Sequence, residues 1–396
     1  MTPVDVARAL IREHAPPPRR ERVALDKAFG RILLVPLTAA RGQPPFDAAA
    51  MDGYAVTTPP QDGESLTVIG ESQAGRAFAG ALADGTAVRV FTGAPLPEGT
   101  TRVLMQEDMI RNGGTVRLKP EARPGKPHIR PRGSDFRGGD VLLQSAERFT
   151  AWRLALAAAA GAARLTVARR PRVALICTGD ELVPPGGVPR DDQVYESNSP
   201  ALAALTGRWG ATVIRAGRVA DDKAALTTAL QNARADLLVT VGGASVGDYD
   251  LIRPALAELG VRWHFEKVDI KPGKPTAFGM LDDGRRVLCL PGNPGAALVC
   301  AQLFLRPLIE AALGAQVADP VRALPCATGL PANGPRETFL RATILTGADG
   351  TPVLLPLSDQ DRGQVAAFAI TSALIRRRGS APATAPGEVV ECIQLE

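Results

Sequence analysis

Apolar strand-like runs alternate with helical segments between residues 172 and 305, and this alternation limits the possible folds more than any other feature of the chain. The runs at residues 173–177, 213–219, 237–241 and 287–290 each end in a loop rich in Gly, Asp or Pro. Alternating strands and helices predict a mostly parallel sheet with helices on both faces. Ligands of such sheets bind at the carboxyl ends of the strands. The loops that follow these four runs are therefore the expected position of a binding site.

Segments of a different character lie on both sides of this region. At 396 residues the chain is too long for a single core, which predicts several domains. Short β-type runs separated by Gly and Pro turns fill residues 41–140, between helical patterns that start near residues 4 and 151. We predict an α/β multidomain fold with a helical linker domain (residues 1–40 plus 141–170), an inserted β-rich domain (41–140), a central mostly parallel α/β sandwich domain (171–316) and a C-terminal small β-barrel (317–396).

Composition excludes several classes of protein. The net charge is +5, but acidic residues are interleaved with the arginines and the short basic clusters lack aromatic neighbours, so we expect no nucleic-acid partner. Five widely spaced cysteines and three histidines argue against a disulfide framework or a zinc site. Because the N-terminus has no apolar signal core and no stretch reaches the eighteen or so uncharged apolar residues of a membrane span, we expect a cytoplasmic protein with no membrane partner.

A lysine cluster indicates an anion site. Only seven of the 46 basic residues are lysines, yet Lys267, Lys271 and Lys274 fall within eight positions of each other around a predicted Pro-Gly turn. Residues 242–247 (GGASVG) offer backbone N–H groups to an anion, and residues 290–294 (LPGNP) predict a capped helix start with free N–H groups. Each segment alone could be a plain turn or cap. Together they predict a phosphate-binding region.

Carboxylates occupy the same strand ends. They are Asp180, Glu181, Asp221, Asp222, Asp248 and Asp250. Carboxylates beside a phosphate site typically hold Mg²⁺, which takes few protein oxygens and several from water and substrate. Each of these residues alone could equally cap a helix or lie on the surface. The sequence predicts Mg²⁺ as a cofactor without fixing its ligands.

Seven motifs, in order along most of the chain, resemble the molybdopterin molybdenumtransferase family, the molybdate insertases related to the E domain of gephyrin. They are residues 50–56 (AMDGYAV), 91–95 (FTGAP), 132–135 (RGSD), 178–182 (TGDEL), 242–247 (GGASVG), 270–275 (IKPGKP) and 290–294 (LPGNP). The resemblance implies insertion of molybdate into adenylylated molybdopterin, with release of AMP, formation of molybdenum cofactor and a requirement for Mg²⁺. It also implies an elongated homodimer in which the partner's β-rich insertion helps to close the site. The adenylyltransferase and molybdoenzyme chaperones are further candidate partners.

The resemblance also assigns roles to residues of this chain. The expected catalytic residues are Asp52, Asp135, Glu181, Asp250, Lys267, Lys271 and Lys274, of which Asp52, Glu181 and Asp250 are the expected metal ligands. The expected substrate-binding residues are Thr178, Gly179, Asp180, Gly242, Gly243, Ser245, Gly247, Pro291, Gly292, Asn293 and Arg341. Two other functions stay open: a molybdopterin adenylyltransferase-like enzyme and a non-catalytic dimeric scaffold of the gephyrin type.

The chain departs from the family pattern at four places. Ala48-Ala49 stands where Asn-Ser is common, and Gly295-Ala296 stands where Val-Ser is usual. Residues 359–363 (DQDRG) replace a Ser/Gly-rich segment, and residues 369–371 (AIT) align where Asn-Gly is often found. Two hydroxyls that could touch molybdate are therefore missing, although Arg336, Arg341 and Arg362 remain as candidate anion partners. The affinity for molybdate and the choice between molybdate and tungstate do not follow from the sequence.

Overall fold

The structure is a computed structural model that describes residues 1–123, 125–242, 251–316, 321–347 and 349–395. Within these ranges the α-helices are α1 (Val4–Glu13), α2 (Ala151–Ala159), α3 (Asn198–Arg208), α4 (Lys223–Asn232), α5 (Ile252–Glu258), α6 (Pro294–Cys300) and α7 (Arg306–Ala312). Short 3-10 segments lie at Leu25–Lys27, Gln106–Asp108 and Ala366–Ala369, and a π-helical turn, Ala301–Leu305, joins α6 to α7.

The strands in the same ranges are β1 (Arg20–Ala24), β2 (Leu37–Thr38), β3 (Ala48–Ala49), β4 (Gly53–Val56), β5 (Ser65–Ser72), β6 (Thr86–Val90), β7 (Arg102–Met105), β8 (Met109–Asn112), β9 (Thr115–Leu118), β10 (Ile129–Arg130), β11 (Val141–Leu143), β12 (Arg164–Ala168), β13 (Arg172–Thr178), β14 (Leu182–Val183), β15 (Val194–Tyr195), β16 (Thr212–Val219), β17 (Leu237–Val241), β18 (Arg262–Phe265), β19 (Ile270–Lys271), β20 (Ala277–Met280), β21 (Arg286–Leu290), β22 (Val321–Pro325), β23 (Glu337–Thr346), β24 (Pro352–Pro356), β25 (Ala373–Arg377) and β26 (Val389–Gln394).

The α/β region contains a six-stranded sheet in the order β16-β13-β17-β21-β20-β18. The first four strands are parallel, and β20 and β18 continue the sheet antiparallel. Along β13, Val173, Leu175 and Cys177 belong to one apolar core, while Ala174 and Ile176 belong to another. Since alternate residues of a strand point to opposite faces, this sheet is covered on both faces.

Two antiparallel ladders, β1 with β12 and β2 with β11, hold the segments on either side of the β-rich region together. They share one apolar core with α2, whose first turn is capped by the Thr150 hydroxyl, which accepts from Arg153 N at 3.3 Å. α1 packs elsewhere: Val4, Ala7 and Ile11 are buried in the same core as Phe304 and Leu308 of the α/β region.

The β-rich region contains a six-stranded sheet in the order β7-β4-β6-β5-β9-β8 with its own core. The C-terminal region contains another sheet, in the order β19-β23-β25-β26-β22, with β24 on β23. A bridge between Cys326 and Leu354 brings β24 back toward the end of β22, so this sheet curls into a half-barrel. The whole is a mixed α/β fold with several sheets and few helices.

One continuous helix, Pro294–Ala312, is long and apolar enough by composition to cross a membrane. Its most apolar window is 83% buried inside the protein. It also carries an ion pair between Arg306 Nε and Glu310 Oε1 at 2.9 Å. Burial of this extent is typical of a core helix.

All five cysteines are buried and free. Burial raises the pKa of Cys177 and of Cys300 to about 12.

Candidate functional site

The carboxyl ends of β13, β17 and β21 meet in close backbone contact. A Cβ at Gly242, where φ is 89°, would lie 2.7 Å from the carbonyl oxygen of Thr178, and a Cβ at Gly292 would lie 3.1 Å from Gly242 Cα. The N–H of Gly242 donates to Leu290 O at 3.3 Å. Glycine is therefore required at residue 242 for the loops to meet, and a side chain at residue 292 would have to displace Gly242 by a few tenths of an ångström. The predicted residues Gly243, Ser245, Gly247 and Asp250 lie outside the described residues.

The lysine cluster lies on a turn that is fixed by its surroundings. Gly273, between Lys271 and Lys274, has a φ of 117°, and a Cβ there would overlap the Sγ of Cys300. The hydroxyl of Thr276 donates to Gly273 O at 2.7 Å. β19, which includes Lys271, pairs in parallel with β23, so the turn joins the α/β region to the C-terminal sheet.

Two adjoining cavities open at this edge of the sheet. The larger is about 740 Å³ and the smaller about 460 Å³. Predicted residues on the larger cavity are Thr178, Gly179, Glu181, Gly242, Lys267, Lys274, Pro291, Gly292 and Asn293. Predicted residues on the smaller cavity are Lys271, Lys274, Pro291, Asn293 and Arg341. We call the residues that line both cavities the junction: Lys274, Pro275, Pro291, Asn293, Arg336 and Arg362.

Five cations around these cavities have no acidic partner among the described residues. They are Lys267, Lys271, Lys274, Arg336 and Arg362. Their side chains form no ion pair or hydrogen bond with any described residue. Five cations with no partner among the described residues, placed around two adjoining cavities, favour an anionic ligand.

Among the described residues, the acidic residues that line the larger cavity are Glu181 and Asp221. The carboxylate of Asp180 lines neither cavity and instead pairs with Arg218 Nη2 at 2.6 Å. Among the described residues no group of three or more His, Cys, Asp or Glu side chains could hold a metal alone. One or two carboxylates together with substrate phosphates and water do fit Mg²⁺, and Glu181 and Asp221 supply such a pair.

Polar atoms on the larger cavity lack protein partners. Thr178 Oγ1 and Asn198 Oδ1 are buried without a hydrogen bond to any described residue, whereas Asn198 Nδ2 donates to Gly292 O at 2.9 Å. Tyr195 also lines this cavity and is 53% exposed. Sequence reasoning missed Tyr195 and Asn198. The available signal was the run at residues 194–198 (VYESN), which places an aromatic residue three positions before the start of α3 at Asn198.

Arg341, a predicted substrate-binding residue, lines the smaller cavity, and its guanidinium is bound to the protein backbone. It is 3% exposed, and its guanidinium donates to three backbone carbonyls, Gln364 O at 3.0 Å, Asp359 O at 3.2 Å and Asp361 O at 2.8 Å. Burial lowers the pKa of Arg341, although Asp359 and Asp361 oppose that shift. The side chain therefore holds the loop on the wall of the smaller cavity, with its main donors already used.

Asp52 and Asp135 line neither cavity of this chain. They belong to a second cluster of motifs, which the 43–52 segment of the β-rich region connects: Ala49 O accepts from Gly93 N at 2.8 Å, and Gln43 O accepts from Asp135 N at 3.0 Å. Asp52 Oδ1 accepts from Thr92 N at 2.7 Å and from Thr92 Oγ1 at 2.8 Å. The 132–135 loop is held by Asp47 Oδ1, which accepts from Arg132 N at 2.7 Å. The two hydrogen bonds from Thr92 hold the pKa of Asp52 below its usual value.

Comparison with known proteins places this geometry in a family. Residues 2–161 match the family described as MoeA N-terminal region (domain I and II), and residues 174–311 match the probable molybdopterin binding domain. Molybdopterin molybdenumtransferase 2 of Mycobacterium tuberculosis (strain ATCC 25618 / H37Rv) is 38% identical over 313 residues, covering 76% of each chain. The chain belongs to the molybdopterin molybdenumtransferase family.

Other members support the same assignment. The molybdopterin molybdenumtransferase of Haemophilus influenzae is 37% identical over 315 residues, covering 78% of this chain and 77% of that protein. A crystal structure described as molybdopterin biosynthesis MoeA protein from Pyrococcus horikosii superposes with a TM-score of 0.85 at 30% identity, covering 100% of this chain and 99% of that one. The resemblance predicted from the seven motifs is confirmed, and this molybdenumtransferase-family chain is an enzyme.

Proposed function

We propose that this chain inserts molybdate into adenylylated molybdopterin, releasing AMP and forming molybdenum cofactor. The five free cations around two adjoining cavities support this activity, because the reaction needs a phosphoanhydride and a tetrahedral oxyanion side by side. The larger cavity has the volume and the orphaned polar atoms to take the nucleotide and pterin. The smaller cavity takes molybdate.

In this proposal the chain's own residues bind and orient the two substrates. Lys267 and Lys274 face the larger cavity, where they neutralise charge on the phosphates as the anhydride breaks. Lys271 faces the smaller cavity and holds the oxyanion beside it. Thr178 and Asn198 line the same cavity, and Thr178 Oγ1 and Asn198 Oδ1 have no hydrogen-bond partner among the described residues, so in this proposal they bind the substrate rings or sugar.

Glu181 and Asp221 would hold Mg²⁺ together with substrate phosphates. When bound, Mg²⁺ supplies charge neutralisation at the anhydride oxygens.

The second cluster supports a homodimer. Asp52 and Asp135 sit on exposed loops away from this chain's cavities, so in this proposal the partner subunit brings its copies to the site. The same proposal includes four domains with the predicted boundaries and a cytoplasmic location. It also includes the adenylyltransferase and molybdoenzyme chaperones as partners. Separate apolar cores in the β-rich, linker and C-terminal regions support the domain division.

Two alternatives make different predictions. An adenylyltransferase-like enzyme would form adenylylated molybdopterin rather than consume it, and a scaffold of the gephyrin type would do neither. Free Lys271 and Lys274 on a cavity wall favour catalysis over a scaffold.

The decisive assay incubates purified protein with adenylylated molybdopterin, Mg²⁺ and molybdate and measures AMP and molybdenum cofactor together. We expect molybdate-dependent AMP release by the wild type, and loss of both products in Lys271→Ala with the fold intact by circular dichroism. Lys223→Ala is the matched control, because Lys223 pairs with Glu258 and lines neither cavity. Full activity of Lys271→Ala would refute the assignment of Lys271, and no AMP release by the wild type would refute the function.

A further inference from the structure

Arg362 occupies the junction between the two cavities. It is exposed and lines both of them, and its guanidinium makes no hydrogen bond or ion pair with any described residue. A cation in that place can contact ligands in either cavity. Its position depends on the backbone of the 359–363 loop.

That loop is fixed from two sides. On one side Arg341 donates to the carbonyls of Asp359 and Asp361, and the Gln360 side chain donates to Arg341 O and accepts from Arg341 N, both at 2.9 Å. On the other side Gly295 N donates to Arg362 O at 2.9 Å. A Cβ at residue 295 would lie 2.7 Å from Arg362 O, so this approach requires glycine.

The two cavities differ in the charge of the residues that line them. Five basic residues line the smaller cavity: Lys271, Lys274, Arg336, Arg341 and Arg362. Asp361 is the one acid among its described lining residues, and its Oδ1 already accepts from Gly363 N at 2.7 Å. The larger cavity has Glu181 and Asp221 beside its cations. A small dianion therefore fits the smaller cavity better.

We infer that Arg362 binds the tetrahedral oxyanion at the junction and that Gly295 positions it. The inference rests on the proposed function, in which that oxyanion is molybdate. A guanidinium presents two parallel N–H donors to an oxyanion, a geometry that lysine does not reproduce. From the junction it also faces the anhydride in the larger cavity, so one residue sets the distance between the two reactants.

Equilibrium dialysis of molybdate with the full chain, with bound molybdenum counted, tests the role of Arg362. We expect Arg362→Met to weaken molybdate binding by about tenfold, the usual loss for one hydrogen bond to a charged group, and Arg362→Lys by less. Arg262→Met is the control, because Arg262 is 68% exposed, lies 3.6 Å from Asp282 and lines neither cavity. Wild-type affinity in Arg362→Met would overturn the inference, as would absence of molybdate binding to the wild type.

A double-mutant cycle tests the role of Gly295. We expect Gly295→Ala to weaken molybdate binding in the wild type and to have little further effect in the Arg362→Met background, because its effect passes through Arg362. An equal loss in both backgrounds would show general damage and refute the positioning role. The proposed function fails separately: a wild type that binds molybdate through Arg362 but releases no AMP would overturn the function and leave the oxyanion site standing.

Discussion

Tyr195 is a residue that the structure adds to the site. Within the described chain it is the aromatic side chain that lines the larger cavity, and its hydroxyl donates to Gly187 O at 3.2 Å, which holds the ring edge. The proposed substrate carries two flat ring systems, and an aromatic ring stabilises a stacked base by about 1–3 kcal/mol. Tyr195 is thus a candidate platform for one of those rings.

We predict that Tyr195→Ala raises KM for adenylylated molybdopterin by about 5- to 100-fold, with a small change in kcat. Tyr195→Phe keeps the ring and should stay close to wild type. Steady-state AMP release over a range of substrate concentrations separates the two constants. An unchanged KM in Tyr195→Ala would exclude stacking at this position.

The interaction between Asp52 and Thr92 depends on pH, and the pKa of Asp52 can be measured. Hydrogen bonds from Thr92 N and Oγ1 lower its pKa, so the interaction favours the fold above the ordinary pKa of an Asp and is lost as pH falls through the lowered value. We predict that Thr92→Val, which removes the hydroxyl donor, raises the pKa of Asp52 toward its usual value. NMR titration of the Asp52 carboxyl carbon measures the shift.

The control for that titration is Thr115→Val, because the Thr115 hydroxyl donates to Asn112 O and not to a carboxylate. Asp52 is almost fully exposed, so the change in stability should be small. If the pKa of Asp52 is the same in Thr92→Val and wild type, the hydroxyl does not contribute to the shift.

At the scale of elements, the lysine turn depends on a glycine. Gly273 has a φ of 117°, and an added Cβ would overlap Cys300 Sγ. We predict that Gly273→Ala lowers stability by about 2–4 kcal/mol, from the positive φ and from overpacking, and lowers AMP release because Lys271 and Lys274 move. Urea unfolding and the AMP assay measure the two effects.

Cys300→Ala tests whether overpacking against Cys300 contributes to the loss of stability. It removes the sulfur that the new methyl group would meet, so the double variant should be more stable than the sum of the single effects predicts, while the strain from φ remains. A double variant with strictly additive loss would show that contact with Cys300 is not the source of the damage.

The main strands were predictable because their local patterns are strong. Residues 173–177, 237–241 and 287–290 are fully buried runs, and they form β13, β17 and β21 at nearly the expected bounds. The helix start at Pro294 follows from Pro in the first turn, although the Asn293 side chain makes no capping hydrogen bond.

What the sequence could not show depends on partners distant along the chain. β19 has two residues, and its pairing with β23 arises from packing of the C-terminal sheet rather than from any pattern near Lys271. Arg341 lines the smaller cavity as a predicted substrate ligand, but the sequence does not show that its guanidinium also donates to three backbone carbonyls. Buried polar atoms without a described hydrogen-bond partner, such as Asn198 Oδ1, can be recognised only from the structure.

At the scale of the whole molecule, the motifs divide into two groups. The 178–182, 270–275 and 290–294 motifs surround the cavities, and so does Gly242, the described residue of the 242–247 motif. The 50–56, 91–95 and 132–135 motifs form the second cluster in the β-rich region. In the proposed homodimer, each complete site combines the cavities of one subunit with the second cluster of the other. Closed twofold symmetry then gives two such sites.

Subunit complementation tests this arrangement. Asp52→Ala and Lys271→Ala should each be inactive alone, but a heterodimer of the two contains one site in which both residues are intact. With different affinity tags on the two subunits and purification over both, we expect about half the wild-type rate of AMP release per dimer. A dual-tagged dimer in which both subunits carry Asp52→Ala controls for the tags and should stay inactive.

Inactivity of the mixed heterodimer would place Asp52 and Lys271 in the same subunit's site. A monomeric, active wild type in light scattering would contradict the shared site altogether.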